Sequence, residues 1–187
     1  MGSLSCLHSN SIVHRDIKPD NILMSEVNGR IKLIDFGCAV DLSTRYGYDP
    51  TKGPGDPRYM PPEQFLELKY GGAFDMFSAG VILMQVAFVS LQDNDALEKF
   101  RKDLDRCNNN LDRWLSLRVS AEHPLDDIQL GLEVVSENNK AAWDFLKRLL
   151  AAQPQKRLTA AAALGEHRYL RGPPAMGPFS RWWPPFH

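Results

Sequence analysis

The run His14-Arg15-Asp16-Ile17-Lys18-Pro19-Asp20-Asn21 places a carboxylate, an amine and a carboxamide within one short loop. Asp35-Phe36-Gly37 follows after two apolar runs, 21–24 and 31–35, whose separation by an Asn28-Gly29 turn predicts a β-hairpin. Transfer of a phosphoryl group needs metal ligands, a cation near the moving phosphate and a carboxylate that faces the nucleophile. These two motifs supply all three kinds of group.

Both motifs, in this order and at this spacing, resemble the catalytic loop and the metal-binding motif of eukaryotic protein kinases. The resemblance implies that Asp16 orients or deprotonates the substrate hydroxyl and that Lys18 lies beside the γ-phosphate. It also implies that Asn21 and Asp35 bind Mg2+, so that Lys18, Asn21 and Asp35 form the binding site for the cofactors ATP and Mg2+. A lysine two places after the loop aspartate is the pattern of serine/threonine kinases.

Three further landmarks extend the resemblance to about Leu170. The segment from Gly55 to Glu63 is similar to the end of a kinase activation loop, and the segment from Asp75 to Gly80 is similar to the start of the family's central helix. The resemblance implies that Asp75 bonds to the backbone of the catalytic loop. It also implies that Arg157 pairs with Glu63, so we expect a largely buried ion pair there rather than two solvated charges. Glu63, Asp75 and Arg157 are therefore expected to be structural.

The rest of the sequence predicts a mostly α-helical protein with small β-hairpins, in the α+β class. Helical patterns cover residues 62–68, 74–89, 95–107, 111–118, 140–151 and 159–164. The second of these is apolar nearly all round and should lie at the centre of the domain.

The kinase resemblance divides the chain into a C-terminal lobe, residues 1–171, and a Pro- and Trp-rich tail, residues 172–187, that packs on the lobe. Within the lobe we assign a catalytic loop at 12–21, an activation segment at 35–63 and a central helix at about 74–89. A Gly-rich loop, a strand lysine and a helix glutamate complete the nucleotide site of a kinase. None of them precedes the catalytic loop, so we expect the N-terminal lobe to be absent and the isolated chain to be inactive.

The activation segment contains three hydroxyl groups, Ser43, Thr44 and Thr51, that phosphorylation could use for regulation. Arg15 would be the natural partner of such a phosphate. The alternative is that these hydroxyls only decorate a solvated loop. Asp56 occupies the place where the family usually has Thr. We expect its carboxylate to approach Lys18, and the alternative is a simple turn residue before Pro57.

Composition excludes several classes of function. The 22 Lys and Arg residues against 23 Asp and Glu residues give a formal net charge of −1, which argues against nucleic acid as a partner. Three scattered cysteines indicate an intracellular, reducing compartment. The longest uncharged stretch, 76–92, is better interpreted as a buried helix than as a membrane span. The expected partner is a protein substrate.

Two segments, 55–64 and 74–88, together with the insertion at 97–114, are similar to the state-transition kinases of plant and green-algal thylakoids. That resemblance implies a kinase on the stromal side of the thylakoid in the chloroplast, with light-harvesting antenna proteins as substrates. Two other functions stay open on the sequence. One is a pseudokinase-like lobe that binds proteins without catalysis, and the other is a small-molecule phosphotransferase, which would not explain the 55–63 segment.

Overall fold

The computed structural model describes residues 1–25, 27, 30–44, 49, 55–119 and 140–165. The chain begins with helix α1 (Gly2–Ser9), followed by four short strands, β1 (Ile12–Val13), β2 (Ile22–Met24), β3 (Ile31–Leu33) and β4 (Val40–Asp41). The helices that follow are α2 (Gly71–Ala87), α3 (Asn94–Arg106), α4 (Leu111–Val119), α5 (Lys140–Leu149) and α6 (Ala160–Gly165). Short 3-10 turns lie at Pro19–Asn21, Leu68–Tyr70, Val89–Gln92 and Pro154–Lys156. The predicted helix-rich architecture with few strands is therefore confirmed.

The strands form two antiparallel pairs. Strands β2 and β3 pair with Ile22 opposite Leu33 and Met24 opposite Ile31, which is the hairpin that the sequence predicted. Strand β1 instead pairs with β4, with Val13 opposite Val40. The catalytic-loop motif therefore lies between β1, which pairs with β4, and β2, which pairs with β3. Both of its ends are fixed by backbone hydrogen bonds.

Helix α2 forms the centre of the structure, as its apolar sequence predicted. Phe74, Met76, Phe77 and Val81 are among its buried side chains. One apolar cluster joins α2 to α3, α4 and α5, where Trp114 packs edge-on against Phe100 with ring centroids 5.0 Å apart. A second cluster joins α2 to α1, α5 and α6. Among the described residues, no helix is long and apolar enough to cross a membrane.

Local capping explains where several helices begin. Asp93 accepts a hydrogen bond from the Ala96 amide at the start of α3, at 3.0 Å, and Asn110 accepts one from the Arg113 amide at the start of α4. Helix α2 begins at Gly71, three residues before the predicted Phe74. A Cβ atom at Gly71 would lie 2.7 Å from a Leu42 methyl group, so glycine permits close packing of α2 on the residue that follows β4.

The helix predicted over residues 62–68 is wrong. That segment consists of turns and bends up to the 3-10 turn at Leu68–Tyr70. Gln64 has a φ of 55°, in the left-handed region, which interrupts a right-handed helix. The tail at 172–187 and the turn at Asn28-Gly29 lie outside the described residues.

Candidate active site

Asp75 of α2 holds the start of the catalytic-loop motif. Its carboxylate accepts hydrogen bonds from the backbone amides of His14, at 2.9 Å, and Arg15, at 2.8 Å. His8 of α1 donates a third through Nε2, at 2.9 Å. Asp75 is fully buried, so these donors replace the water that the carboxylate loses on folding. Arg15 has a φ of 65°, and the two hydrogen bonds from the His14 and Arg15 amides to Asp75 hold the backbone in this unfavourable conformation.

The Asp16 carboxylate is the common partner of several polar groups around the loop. Lys18 Nζ lies 3.0 Å from Oδ2, and Asn21 Nδ2 donates to the same oxygen at 2.9 Å. Asn21 Nδ2 also donates to the Asp16 carbonyl at 2.9 Å. The backbone amide of Asp56 donates to Oδ1 at 3.3 Å. The two predicted catalytic residues, Asp16 and Lys18, and the predicted metal ligand Asn21 are thus brought together, and Asp16 is only 8% exposed.

The hydrogen bond from Lys18 to Asp16 raises the pKa of the lysine above its usual value, and burial opposes this increase. Lys18 therefore stays protonated and supplies a fixed positive charge beside the carboxylate. The Lys18 side chain is 23% exposed, so its positive charge can stabilise negative charge on an approaching phosphate group.

Asp35 lies at the edge of this cluster. It is exposed, has a φ of 59° and accepts a hydrogen bond from the Gly37 amide at 3.2 Å. The residue before it, Ile34, donates its amide to the Asn21 carbonyl at 3.0 Å. His14 Nε2 donates to the Ile34 carbonyl at 3.0 Å, and the His14 ring lies 4.9 Å from that of Phe36. These contacts tie the second motif to the first.

The donor atoms of Asn21 and Asp35 fit a hard cation such as Mg2+. Both hydrogen bonds of the Asn21 carboxamide use its nitrogen, which leaves Oδ1 on the opposite side of the group as an oxygen ligand. The Asp35 carboxylate is exposed and makes one amide contact. Mg2+ is usually held by one or two such protein oxygens, with waters and phosphate oxygens as its other ligands. In the part of the chain described, no group of three His, Cys, Asp or Glu residues forms a closed metal site.

Asp56 comes close enough to Lys18 for each charge to favour the ionised form of the other, but the two side chains form no direct ion pair. The Asp56 carboxylate binds the Arg58 guanidinium instead, with Nη2 2.5 Å from Oδ2 and Nε 3.0 Å from Oδ1. It also accepts the Arg58 backbone amide at 3.0 Å, which makes it the turn residue of the alternative interpretation. Arg58 is two residues away, so this pair forms at little cost in chain entropy, whereas Lys18 already contacts Asp16.

The backbone of the 55–60 turn lies directly on Asp16. Gly55 has a φ of 99°, and a Cβ atom there would lie 2.6 Å from the Arg15 carbonyl oxygen and 3.1 Å from Asp16 Oδ1. Only glycine fits both the conformation and the close approach. The sequence places Gly55 in the activation-segment motif but does not indicate this contact.

The predicted regulatory residues are partly described. Ser43 and Thr44 are exposed, and the Ser43 hydroxyl donates to Asp41 at 2.6 Å. Arg15 is buried, and its Nε donates to the Cys38 carbonyl at 2.6 Å. Thr51 lies outside the described residues.

Cys38, which directly follows the Asp35-Phe36-Gly37 motif, is only partly buried. Burial nonetheless raises the pKa of its thiol, so the group stays protonated at neutral pH.

Arg157 and Glu63 form the ion pair that the sequence predicted. The two guanidinium nitrogens Nη1 and Nη2 each lie 2.6 Å from a carboxylate oxygen of Glu63. The Arg157 side chain is fully buried, and the backbone carbonyls of Ala73, Ala151 and Ala152 accept its remaining hydrogen bonds. The pair ties the end of the activation segment to the start of α2 and to the segment before α6.

Three side chains that support this site, Arg58, His8 and Tyr59, were not predicted from the sequence. Asp56 and Arg58 pair at positions i and i+2. Opposite charges this close in the sequence are a local pattern that could have indicated the pair. His8 bonds to Asp75 across 67 residues, and Tyr59 donates its hydroxyl to Gln85 at 3.1 Å. These two contacts depend on how α1 and the 55–60 turn lie against α2, which no local pattern reports.

The family comparison covers most of the chain. Residues 1–170 match the protein kinase domain family. The chain is 33% identical to the chloroplastic serine/threonine-protein kinase STN7 of Arabidopsis thaliana over 193 residues, covering 90% of this chain and 33% of that protein. It is 31% identical to STN8 of the same plant, covering 91% of this chain and 38% of that protein. The chain therefore spans little more than a third of these relatives.

A solved structure agrees with these matches. The crystal structure of a Stt7 homolog from Micromonas algae, soaked with ATP, superposes with a TM-score of 0.74 at 29% identity, covering 87% of this chain and 52% of that one. The ordered motifs, the ligand cluster around Asp16 and the match over residues 1–170 agree, and the chain belongs to the protein kinase family.

Proposed function

We propose that this chain supplies the catalytic loop of a Mg2+- and ATP-dependent serine/threonine protein kinase. The observation that carries the proposal is the convergence of Lys18 Nζ, Asn21 Nδ2 and the Asp56 amide on the Asp16 carboxylate. Three donors on one carboxylate fix its orientation before a substrate arrives. A general base needs such a fixed orientation to accept the proton of the substrate hydroxyl. Many relatives bear the name serine/threonine kinase, including STN7 and the human kinase PAK 4.

Each residue has a separate part in the proposed reaction. Asp16 accepts the proton of the substrate Ser or Thr hydroxyl and aims its oxygen, while Lys18 places a positive charge beside it. Asn21, through Oδ1, and Asp35, through its carboxylate, would hold Mg2+. When bound, ATP would supply the γ-phosphoryl group and leave as ADP, and Mg2+ would neutralise part of the phosphate charge. The turn at 55–60 covers Asp16 and limits the approach of water from that side.

We assign the described helices to the C-terminal lobe of the kinase fold. Support comes from the buried central helix, the small share of strand and the position of both motifs in the first 37 residues. The nucleotide site then needs groups from an N-terminal lobe, and the Stt7 homolog's chain is about twice as long as the part that this chain covers.

The proposed substrates are light-harvesting antenna proteins, and the proposed location is the stromal side of the thylakoid in the chloroplast. Support comes from the similarity to STN7 and STN8, both named chloroplastic, and to the Stt7 homolog. The proposal is therefore one of regulated phosphorylation of antenna threonines.

The test uses the full-length gene product that carries these residues. Antenna protein and casein are incubated with radiolabelled ATP and Mg2+, and the labelled residues are identified by mass spectrometry. We expect Thr labelling that Asp16→Asn abolishes and that Asp20→Asn, an exposed carboxylate in the same loop, retains. Equal labelling by Asp16→Asn and the parent would disprove the role of Asp16. An unlabelled substrate with intact protein binding would favour the non-catalytic, pseudokinase-like function instead.

A further inference from the structure

Arg101 on helix α3 is a buried cation with an incomplete set of partners. Its Nη2 donates to the Met60 carbonyl at 2.7 Å. Its Nε and Nη1 atoms are buried and make no hydrogen bond to any of the described residues. The guanidinium carbon lies 4.6 Å from the centre of the Phe77 ring. Arg157, by contrast, uses all of its guanidinium nitrogens.

This environment makes Arg101 a poor contributor to folding. Two buried donors without partners lose their hydration and gain nothing in return. Burial lowers the pKa of Arg101 to about 10; the negative charge of Asp105 partly opposes this shift, and the positive charge of Arg157 adds to it. The guanidinium of Arg157 lies 4.9 Å from the same Phe77 ring, so two like charges share one aromatic side chain. An apolar side chain of similar length would fill this space without the unpaired donors.

The one hydrogen bond that Arg101 makes to the described residues leads directly to the candidate active site. Met60 and Tyr59 donate their amides to the Asp56 carbonyl at 3.2 and 3.0 Å. The Asp56 amide in turn donates to Asp16 Oδ1 at 3.3 Å. Arg101 is therefore connected to Asp16 through one turn of backbone.

Helix α3 holds the same turn at a second point. Asn94, the first residue of α3, accepts a hydrogen bond from Arg58 Nη1, and Arg58 binds the Asp56 carboxylate. The two contacts lie seven residues apart on α3, and they reach Arg58 and Met60 in the second half of the turn. A helix fixed at both points can set the position of the turn over Asp16.

We propose that Arg101 is a positioning residue, which sets the 55–60 turn against Asp16 through the Met60 carbonyl and so governs substrate turnover. This inference rests on the proposed function only for its effect on turnover. Its structural part, the dependence of the turn on Arg101, stands independently. Nucleotide binding should be unaffected, because none of the contacts of Arg101 reaches Lys18, Asn21 or Asp35.

The structural part is tested by hydrogen exchange of the 55–63 segment in the 187-residue chain. Arg101→Met fills the same volume and removes the donor. We expect exchange at Asp56, Tyr59 and Met60 to become about 3- to 10-fold faster, the range that the loss of one hydrogen bond corresponds to. The melting temperature should stay the same or rise. Arg101→Lys keeps one donor and should restore protection.

A matched control is Arg106→Met on the same helix, whose side chain is 77% exposed and contacts Asp103. It should leave exchange of the turn unchanged. Unchanged exchange in Arg101→Met, or a lowered melting temperature that accompanies the faster exchange, would overturn the proposal in favour of a purely structural arginine.

The kinetic part uses the full-length kinase with saturating ATP and protein substrate. Arg101→Met should lower kcat about 3- to 10-fold, leave KM for ATP within about twofold of the parent, and be rescued by Arg101→Lys. Equal loss of kcat in Arg106→Met, or a change confined to KM for ATP, would contradict positioning. A parent without activity would refute the proposed function, while the exchange experiment would still decide the role of Arg101.

Discussion

Arg157 and Glu63 lie 94 residues apart in the sequence and meet as a bidentate ion pair, with both nitrogen to oxygen distances at 2.6 Å. The Arg157 side chain is fully buried and that of Glu63 is 19% exposed. The pair joins the end of the activation segment to the segment between α5 and α6. Its geometry is that of a buried, fully hydrogen-bonded pair rather than of a surface contact.

Removal of this arginine should destabilise the fold strongly. Arg157→Ala leaves the Glu63 carboxylate and three backbone carbonyls without their donor, so we expect a loss of about 3 to 5 kcal/mol in the free energy of unfolding. Urea denaturation followed by circular dichroism measures this value. Arg106→Ala, which removes an exposed pair with Asp103, should cost less than about 1 kcal/mol. Similar losses in the two variants would show that the Glu63 pair is not structural.

A Cβ atom at Gly55 should displace the turn from Asp16. Gly55→Ala imposes a side chain at a φ of 99° and places it 2.6 Å from the Arg15 carbonyl. We expect a loss of about 1 to 3 kcal/mol in unfolding free energy and faster hydrogen exchange at the Asp56 amide. Gly165→Ala is the control, since its Cβ would meet nothing within 4 Å and its φ is not positive. A Gly55→Ala variant as stable as Gly165→Ala would contradict the close approach.

The Asp56 to Arg58 pair should make stability depend on pH in the acid range. The hydrogen bond from Arg58 lowers the pKa of Asp56 below its usual value of about 3.9. A carboxylate with a lowered pKa stabilises the fold above its unfolded pKa, and the contribution disappears as the pH falls through the folded value. Between about pH 5 and pH 2, the parent should lose more stability than Asp56→Asn. Denaturant titrations at several pH values test this, and parallel curves for the two proteins would contradict it.

The 187-residue chain, purified alone, should transfer no measurable phosphate to antenna protein or casein. The proposed reaction needs groups on the nucleotide that a Gly-rich loop and a strand lysine supply in kinases, and the run before the catalytic loop contains neither. Loss of even one positioned electrostatic group commonly lowers a rate about 10²- to 10³-fold. Radiolabelled ATP and long exposure set the detection limit. Labelling that Asp16→Asn removes would refute the expectation, because a contaminating kinase would be insensitive to that change.

The elements with a strong local pattern were predictable from the sequence. The hairpin of β2 and β3 follows from two apolar runs around a turn, and the central helix follows from a long apolar stretch. The contact between Glu63 and Arg157 was predicted from the kinase resemblance, because hydrophobic periodicity does not indicate which distant residues meet. The helix wrongly predicted at 62–68 shows the limit of local patterns. Gln64 takes a left-handed backbone conformation within a sequence pattern typical of a helix.

Only some of the polar contacts of the site depended on tertiary structure. Asp16, Lys18 and Asn21 lie within six residues of one loop, so their contacts were predictable from their closeness in the sequence. It did not show that Asp56 would bind Arg58, nor that Arg101 would reach Met60 from another helix. Local backbone conformation depends on residues within about one helical turn, whose identities the sequence gives directly. The partner and burial of a charged side chain depend on where distant elements pack, and the competition among possible partners is settled only when water is excluded there.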